Sequence, residues 1–337
     1  MAIFVTGGAG FIGSQFIRDW VRLYPAQPVM NFDSLTYAGN LENLASVASH
    51  PSYSFVKGDV CEPDQVLAAL PQGCDAVVHF AAESHVDRSI LSAAEFVRTN
   101  VLGTQVMLDA ARARGVRRFL HISTDEVGGS IPEGQFFRED GPLAPSSPYA
   151  ASKTAAEHLV RAAAHTFGLD VVVTRTSNNY GPYQFPEKLI PLALANALED
   201  RPIPVYGDGL QVRDWIHVAD NCAALLAVLE RGAPGATYHI GGRTPVPNID
   251  LLRLLLRVLG KPETLLTYVT DRLGHDRRYA VDCSRITAEL GWQPRIPLED
   301  GLRETIHWYR DNRAWVDHAR TGEYRDYYQR LYGTERA

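Results

Sequence analysis

The sequence predicts an α/β protein built on a doubly wound parallel sheet, with a smaller, partly interleaved α/β lobe towards the C-terminus. Three observations lead to this prediction. Short apolar runs typical of buried strands alternate with amphipathic segments over about the first 176 residues. A glycine-rich loop joins the first predicted strand to the first predicted helix. Polar and small residues recur directly after the predicted strands, which is where an open parallel sheet binds its ligands.

The predicted elements of the first half alternate regularly. The strands are predicted at 2–5, 28–32, 54–56, 76–80, 118–122 and 170–176, and the helices at 14–23, 63–70, 92–114 and 149–167. The last of these strands is expected to complete the wound sheet.

The pattern changes after residue 176. Residues 178–188 contain two prolines and a glycine and are predicted to form a loop. Later segments are predicted as helices at 189–199, 219–231, 248–260, 284–291 and 298–312, with strands at 204–206 and 213–218, and residues 238–242 close the unit formed by strand 213–218 and helix 219–231. We therefore predict a dinucleotide-binding domain of residues 1–177 and 211–243, and a second lobe of residues 178–210 and 244–337.

The loop after the first strand carries three glycines with the spacing G-x-x-G-x-x-G, at Gly7, Gly10 and Gly13. Glycine permits a tight turn and a close approach to a pyrophosphate, and the following helix directs unpaired N–H groups at it. The second strand ends in Asp33, 20 residues beyond Gly13, where a carboxylate can accept a hydrogen bond from a ribose 2′-hydroxyl. Because a carboxylate there repels a 2′-phosphate, the expected cofactor is NAD and not NADP.

Bulk composition narrows the function classes. With 337 residues the chain can form a large core, and its net charge of −6 provides no basic surface for nucleic acid. No apolar run approaches the roughly 18 residues of a membrane span. The first strand begins at once, without the pattern of a signal peptide, and the four cysteines are scattered, so we expect a cytoplasmic protein. The 11 histidines show no close-spaced ligand motif, and no metal is expected.

Two short strings predict the chemistry. Tyr149 and Lys153 are four residues apart, and on a helix they share a face. A phenol titrates near pH ~10, so a base at neutral pH needs its pKa lowered by roughly three units, about 4 kcal/mol, which an ammonium and a cationic nicotinamide can supply together. Thr124, Asp125 and Glu126 follow the fifth strand and add two carboxylates. A simple dehydrogenase needs the Tyr/Lys pair but no second acid–base pair.

A family resemblance extends over about residues 2–312. The matching strings are TGGAGFIGS (6–14), DSLTYAGN (33–40), HFAAESHVDRS (79–89), STDEV (123–127), SPYAASK (147–153), NNYGPYQFPEKLIP (178–191), VRDWIHV (212–218) and DRLGHDRRYAVD (271–282). With these strings the chain resembles the dTDP-glucose 4,6-dehydratases of the extended short-chain dehydrogenase/reductase group. Two positions depart from the family pattern. Gly128 replaces the tyrosine of TDEVYG, which is expected to alter packing near the sugar, and Leu273 replaces a common proline in a loop expected to touch the nucleotide.

The resemblance implies a reaction and the groups that perform it. Tyr149, assisted by Thr124 and Lys153, removes the proton of the sugar 4-hydroxyl while a hydride passes from C4 to NAD. Glu126 then removes the C5 proton, Asp125 protonates the departing 6-hydroxyl, and the hydride returns to C6. The product is a 4-keto-6-deoxy sugar, and each positioned acid or base contributes typically 10²–10⁴-fold.

The resemblance also implies two sets of binding residues and a homodimer. The expected NAD contacts are Gly7, Gly10, Phe11, Ile12, Gly13, Asp33, Ser34, Leu35, Thr36, Asp59, Val60, Phe80, Ala81, Ala82, Ser84, Thr99, Ser123, Tyr149, Lys153 and Asn179. The expected contacts of the sugar nucleotide, dTDP-glucose, are Ser84, His85, Thr124, Asn178, Lys188, Leu189, Pro204, Tyr206, Arg213, Asn248, Arg272, His275 and Tyr279. The alanines of 92–114 and 150–164 are expected to form the dimer surface.

Alternatives from other classes remain open at this point. Another sugar-nucleotide 4,6-dehydratase, an epimerase or a decarboxylase would share the glycine loop and the Tyr/Lys pair, although epimerases and decarboxylases usually lack the adjacent Asp-Glu pair. A simple alcohol dehydrogenase would release NADH. A non-catalytic NAD-binding regulator would be expected to have lost Tyr149 or Lys153.

Overall fold

The fold is given by a computed structural model that describes residues 1–320. Residues 321–337 of the predicted second lobe lie outside the described residues. The strands are β1 (Ile3–Thr6), β2 (Val29–Asp33), β3 (Tyr53–Lys57), β4 (Ala76–His79), β5 (Arg118–Thr124), β6 (Val171–Thr176), β7 (Asn178–Tyr180), β8 (Ile203–Tyr206), β9 (Val212–His217), β10 (Thr237–Ile240), β11 (Pro245–Pro247) and β12 (Leu266–Val269).

Most of the described helices begin and end close to the predicted positions, but those at Val86–Leu91 and Arg313–Ala319 lie outside the predicted helices. The helices are α1 (Phe11–Leu23), α2 (Pro63–Ala69), α3 (Val86–Leu91), α4 (Ala93–Phe96), α5 (Gly103–Ala113), α6 (Pro148–Phe167), α7 (Leu189–Leu198), α8 (Val218–Arg231), α9 (Asn248–Leu259), α10 (Ser284–Leu290), α11 (Leu298–Asp311) and α12 (Arg313–Ala319). No helix within residues 1–320 is long and apolar enough to cross a bilayer.

A parallel sheet with the strand order β10-β6-β5-β4-β1-β2-β3 forms the centre of the larger lobe. Helices α1 and α8 pack on one face, and α2, α5 and α6 on the other. The chain reverses its winding direction between β1 and β4, and an open α/β sheet forms its ligand crevice at such a point. The predicted fold class is confirmed.

The smaller lobe has its own core. Strands β11, β9 and β7 form one short sheet, and β12 pairs with β8 in another. Helices α7, α9 and α11 pack around this lobe's buried leucines and aromatic rings. Strand β10 and helix α8 lie after the first segments of the smaller lobe but pack on the large sheet, so the two lobes interleave. The exact boundaries of the two lobes stay a prediction.

Three predicted elements differ from the structure. The sheet does not end at residue 176, because β10 adds a seventh strand beside β6. The predicted loop 178–188 begins with strand β7, which pairs with β9. The predicted helix 92–114 contains a π-helical segment, Val97–Leu102, between α4 and α5. This wider turn accompanies the burial of the polar side chain of Asn100, a packing effect that local periodicity does not reveal.

Candidate active site

The carboxyl ends of the central strands open into a pocket of about 530 Å³ that continues onto the smaller lobe. The structure brings every predicted site residue except Leu35 into the wall of this pocket. Leu35 takes a left-handed backbone conformation with φ 54°, and its N–H donates to Asp33 Oδ1 over 2.8 Å. Its expected contact with the cofactor stays a prediction.

The glycine loop has the close packing that a dinucleotide requires. A Cβ on Gly7, which has φ +69°, would lie 2.6 Å from the backbone nitrogen of Ala81, and one on Gly13 would lie 2.4 Å from the carbonyl oxygen of Gly7. Glycine is thus the residue that fits at both positions. Gly10 precedes the first turn of α1, so unpaired N–H groups of this turn face the pocket.

Two acidic residues, Asp33 and Asp59, line the part of the pocket beside the glycine loop, which we call the dinucleotide half. Asp33 accepts hydrogen bonds from the N–H groups of Ala9 (2.9 Å) and Leu35, and burial raises its pKa. Asp59, after β3, accepts from Arg98 Nη1 at 3.0 Å. The glycine contacts, the helix terminus and a buried carboxylate at the end of β2 together fit a bound dinucleotide.

Thr124 joins strand β5 to a 3-10 turn, Asp125–Gly128, and caps it by accepting the N–H of Glu126 at 3.2 Å. Asp125 is buried, and its Oδ2 has no hydrogen-bond partner in the described part of the chain. Burial raises the pKa of Asp125 well above its usual range, and the neighbouring Glu126 and Asp214 raise it further. The pKa of Glu126 is also raised by burial, but Arg272, Arg213 and Lys188 favour its ionised form. Burial raises the pKa of both carboxyl groups, and more of the surrounding cations act on Glu126 than on Asp125.

Tyr149 and Lys153 lie in the first turns of α6, one turn apart as predicted. The Lys153 ammonium donates to the carbonyl of Ile122 over 2.7 Å, and burial lowers its pKa to about 8. Burial raises the pKa of Tyr149, Glu126 raises it further, and a hydrogen bond with Thr124 opposes these effects. In the chain without NAD the pKa of Tyr149 is therefore raised, and the expectation that Lys153 and oxidised NAD together lower it stays a prediction.

The wall on the smaller lobe is cationic. Arg213 packs its guanidinium 4.1 Å from the centroid of the Tyr279 ring and donates to the carbonyl of Asp276 over 3.0 Å. Lys188 Nζ donates to the carbonyl of Ser84 over 2.8 Å, and Arg272 lies 3.7 Å from Asp87. These three cations lie in the same pocket wall, which fits a ligand with several negative oxygens.

His275 also lies in this wall. Its Nδ1 pairs with Asp271 Oδ1 at 2.6 Å, and burial lowers its pKa to about 4. Because His275 is neutral at physiological pH, it is suited to a hydrogen bond that positions the ligand and not to a cationic contact with it.

Comparison with known proteins gives a consistent result. The family described as GDP-mannose 4,6 dehydratase matches residues 4–305. The chain is 53% identical to the dTDP-glucose 4,6-dehydratase of Streptomyces niveus over 94% of both chains. It is 50% identical to that of Neisseria meningitidis serogroup B, covering 96% of this chain and 97% of the relative. The chain belongs to the dTDP-glucose 4,6-dehydratase family.

Solved structures agree with this family. The dTDP-glucose 4,6-dehydratase of Streptomyces venezuelae, solved with NAD and dTDP bound, matches with a TM-score of 0.93 and 50% identity, over 95% of this chain and 100% of that one. The UDP-glucuronic acid 4-epimerase of Bacillus cereus matches with a TM-score of 0.86 and 28% identity, over 92% of this chain and 99% of that one. The fold is thus shared more widely than the dehydratase sequence.

Sequence reasoning missed polar residues that support the 4,6-dehydratase site. Asn100 accepts from the N–H of Glu83 at 2.8 Å and donates to the Glu83 carbonyl at 3.0 Å and to Ser152 Oγ at 2.8 Å. It therefore joins the loop after β4 to the helix of Tyr149. Glu187 and Asp87 line the pocket beside the predicted cations. Their partners are distant in sequence, so no local spacing could have found them.

Gly128 and Leu273, the two departures from the family pattern, lie in different surroundings. A Cβ on Gly128 would lie 2.8 Å from the ring of Phe137, so Phe137 fills the space beside this glycine, which is not part of the pocket wall. The expected change of packing therefore occurs behind the sugar site. Leu273 is 76% exposed and also lies outside the wall, although Arg272 and His275 on the same loop belong to it.

Proposed function

We propose that this protein is a dTDP-glucose 4,6-dehydratase, which converts dTDP-glucose to dTDP-4-keto-6-deoxyglucose and water. One observation carries the proposal: Asp125, Glu126, Tyr149 and Lys153 face one pocket, between a glycine loop suited to NAD and a cationic wall suited to a diphosphate. The dehydratase relatives, about half identical over almost the whole chain, support the same reaction.

The chain's own residues move the protons. Tyr149, beside Thr124 and Lys153, takes the proton of the 4-hydroxyl. Bound NAD would supply the hydride chemistry, accepting a hydride from C4 and giving it to C6 while protonated Glu126 returns a proton to C5, so the overall reaction is redox neutral. The 4-ketone acidifies the C5 proton, which Glu126 removes in its ionised form. Asp125, whose pKa is raised most by burial and by its acidic neighbours, keeps the proton that the departing 6-hydroxyl needs.

The cationic wall supports a nucleoside diphosphate as the part of the substrate by which it is recognised. Arg213, Lys188 and Arg272 lie where a diphosphate would bind, and Asn178 and Asn248 each have a side-chain oxygen without a hydrogen-bond partner among the described residues. Those oxygens accept hydrogen bonds from hydroxyl or imide N–H groups of a ligand. The dTDP-bound relative makes thymidine the preferred nucleoside.

We propose further that the protein is a cytoplasmic homodimer. All four cysteines are unpaired, which fits a reducing compartment. The π segment and α5 run beside α6, and Val97 and Leu102 are 55% and 49% exposed. Small or polar exposed residues of α6, such as Ala151, His158 and Ala162, continue this surface. Two such helix pairs can pack as a four-helix bundle about a two-fold axis.

An epimerase is the second candidate, because the fold is shared with 4-epimerases. The Asp125–Glu126 pair argues against it, since an epimerase returns its hydride to C4 and has no water to eliminate. The products of the two activities differ in mass, because dehydration removes 18 mass units from the substrate and epimerisation removes none.

The decisive experiment uses Glu126→Gln. This variant should oxidise C4 but stall before elimination, so reduced-cofactor absorbance should accumulate on the enzyme while water loss, followed by mass spectrometry, slows by about 10²–10⁴-fold. Glu133→Gln is the matched control, because Glu133 is exposed and outside the pocket. Dehydration by Glu126→Gln at the wild-type rate would remove Glu126 from the mechanism. Absence of any water loss from dTDP-glucose with the wild-type protein would refute the function itself.

A further inference from the structure

Three side chains beside the pocket, Tyr37, Arg88 and Glu187, contact one another pairwise and form what we call the Tyr37 cluster. The Arg88 guanidinium lies 3.6 Å from the centroid of the Tyr37 ring. Arg88 Nε lies 3.5 Å from Glu187 Oε2, and the Tyr37 hydroxyl donates to Glu187 Oε1 over 3.3 Å. Tyr37 and Glu187 are 150 positions apart in sequence, so these contacts depend on the tertiary fold.

The cluster joins three segments of the pocket wall. Tyr37 lies in the loop that follows Asp33, Arg88 lies in α3, and Glu187 lies in the loop before α7. Two further contacts strengthen the junction. The Phe185 ring packs edge-on against Tyr37 with centroids 5.6 Å apart, and His85 Nε2 pairs with the Glu187 carbonyl at 3.2 Å. The loop beside the dinucleotide half is therefore fastened to the smaller lobe.

Burial makes this junction depend on all of its members. The Glu187 side chain is 2% exposed and that of Arg88 is 22% exposed. Burial raises the pKa of Glu187 to about 7, while Lys188 and Arg88 oppose this effect. A carboxylate in such a place depends on its partners, because a buried charge without them is costly.

Tyr37 and Arg88 stand behind the wall and not in it. Their sequence neighbours Thr36, Ala38 and Asp87 line the pocket, but Tyr37 and Arg88 do not. Loss of either side chain thus leaves the wall's own ligand contacts in place. It removes the contacts with Glu187 that hold the loop after Asp33 beside the smaller lobe.

We propose that the Tyr37 cluster retains the bound dinucleotide by fastening the loop after Asp33 to the smaller lobe. This inference rests on the proposed function, because a redox-neutral reaction needs the same cofactor molecule from its first step to its last. Dissociation of the cofactor requires the loop and the smaller lobe to separate, and the cluster contacts are broken in that separation. The cluster therefore acts on the rate of dissociation and not on the chemical steps.

The test is exchange of labelled NAD from the purified holoenzyme, with no sugar nucleotide present. Tyr37→Phe removes the hydroxyl that bonds to Glu187 but keeps the ring, and Arg88→Met removes the cation. Each should raise the NAD dissociation rate about tenfold, the scale of a hydrogen bond to a charged group. The double variant should exceed the single variants by less than the product of their effects, because both break one cluster. Tyr24→Phe is the matched control, since Tyr24 donates to Glu230 away from the pocket.

Thermal unfolding separates retention from loss of fold. The inference predicts faster NAD exchange in Tyr37→Phe at an unchanged midpoint of unfolding of the cofactor-free protein. If Arg88→Met folds poorly, Arg88→Lys keeps the charge, weakens the planar stacking on Tyr37 and gives an intermediate exchange rate. Wild-type exchange rates in Tyr37→Phe and Arg88→Lys would overturn the inference. Dehydration of dTDP-glucose is measured separately, so failure of the proposed function would appear there and not in the exchange rates.

Discussion

Asp125 and Glu126 show how adjacent residues of similar chemistry acquire different roles. Burial raises the pKa of both carboxyl groups, but Glu126 and Asp214 raise that of Asp125 against Arg213, whereas Arg272, Arg213 and Lys188 lower that of Glu126 against Asp276. An acid and a base side by side are what an elimination of water requires. The same cations face the proposed diphosphate site, so they act on the substrate and on Glu126.

Arg213 provides the sharpest test of the cationic wall at the scale of one residue. We expect Arg213→Ala to raise KM for dTDP-glucose more than tenfold, because loss of a buried charged contact costs roughly 2–5 kcal/mol. Titration with free dTDP should show a similar weakening, whereas NAD affinity should barely change. Arg277→Ala is the control, because Arg277 pairs with Asp208 outside the pocket wall. Wild-type affinity of Arg213→Ala for dTDP would put the diphosphate elsewhere.

Helix α6 shows how an element is fixed at both ends by sequence. Ser147 caps its first turn by accepting the N–H of Ala150 at 3.1 Å, Pro148 occupies the first turn, and Gly168 ends it in a left-handed conformation. These signals set where the helix starts, and hence which residues occupy its first turns. Tyr149 and Lys153 consequently face the pocket at the end of β5.

The turn after Glu126 permits a test at the scale of an element. Gly128→Ala should destabilise the fold by about 1–3 kcal/mol, because its Cβ would press against the ring of Phe137. The cost should be smaller in a Phe137→Leu background, where the ring is absent. Denaturant unfolding of the two single variants and the double variant measures this coupling. Equal costs of Gly128→Ala in both backgrounds would contradict the packing account.

The pocket lies between the two lobes, at the point where the winding direction of the large sheet reverses. The glycine loop and the predicted catalytic residues come from the larger lobe, whereas Arg213, Arg272 and His275 come from the segments packed on the smaller lobe. The interleaved connections hold the two walls against each other. A change in the position of either lobe would therefore change the distance between the cofactor half and the nucleotide half.

Assembly is the property of the whole molecule that remains to be tested. We expect Leu102→Glu to shift a dimer towards monomer, because it places a charge on the apolar surface proposed for the bundle. Analytical ultracentrifugation over a concentration series measures the change. Leu23→Glu is the matched control, since Leu23 is similarly exposed, at 47%, but lies at the end of α1. A wild-type monomer, or a Leu102→Glu variant that dimerises like wild type, would refute the proposed surface.

Local sequence patterns predicted the fold class and most strands and helices, and the family resemblance predicted most of the residues that line the pocket. Hydrophobic periodicity, the glycine spacing and the cap residues are local signals, and they place each motif at a strand end. The family resemblance extended this set to the smaller lobe, where no local rule identifies Arg213 or His275. Their roles remain predictions.

The way these groups affect one another depends on the tertiary structure. Burial and the carboxylate of Glu126 raise the pKa of Tyr149, and both effects depend on contacts across the fold. The seventh strand, the π segment that buries Asn100 and the Tyr37 cluster likewise join segments that are distant in sequence. Local patterns record which residues are present, but pKa values and tertiary contacts depend on which groups the fold excludes from water and brings within a few ångströms of each other.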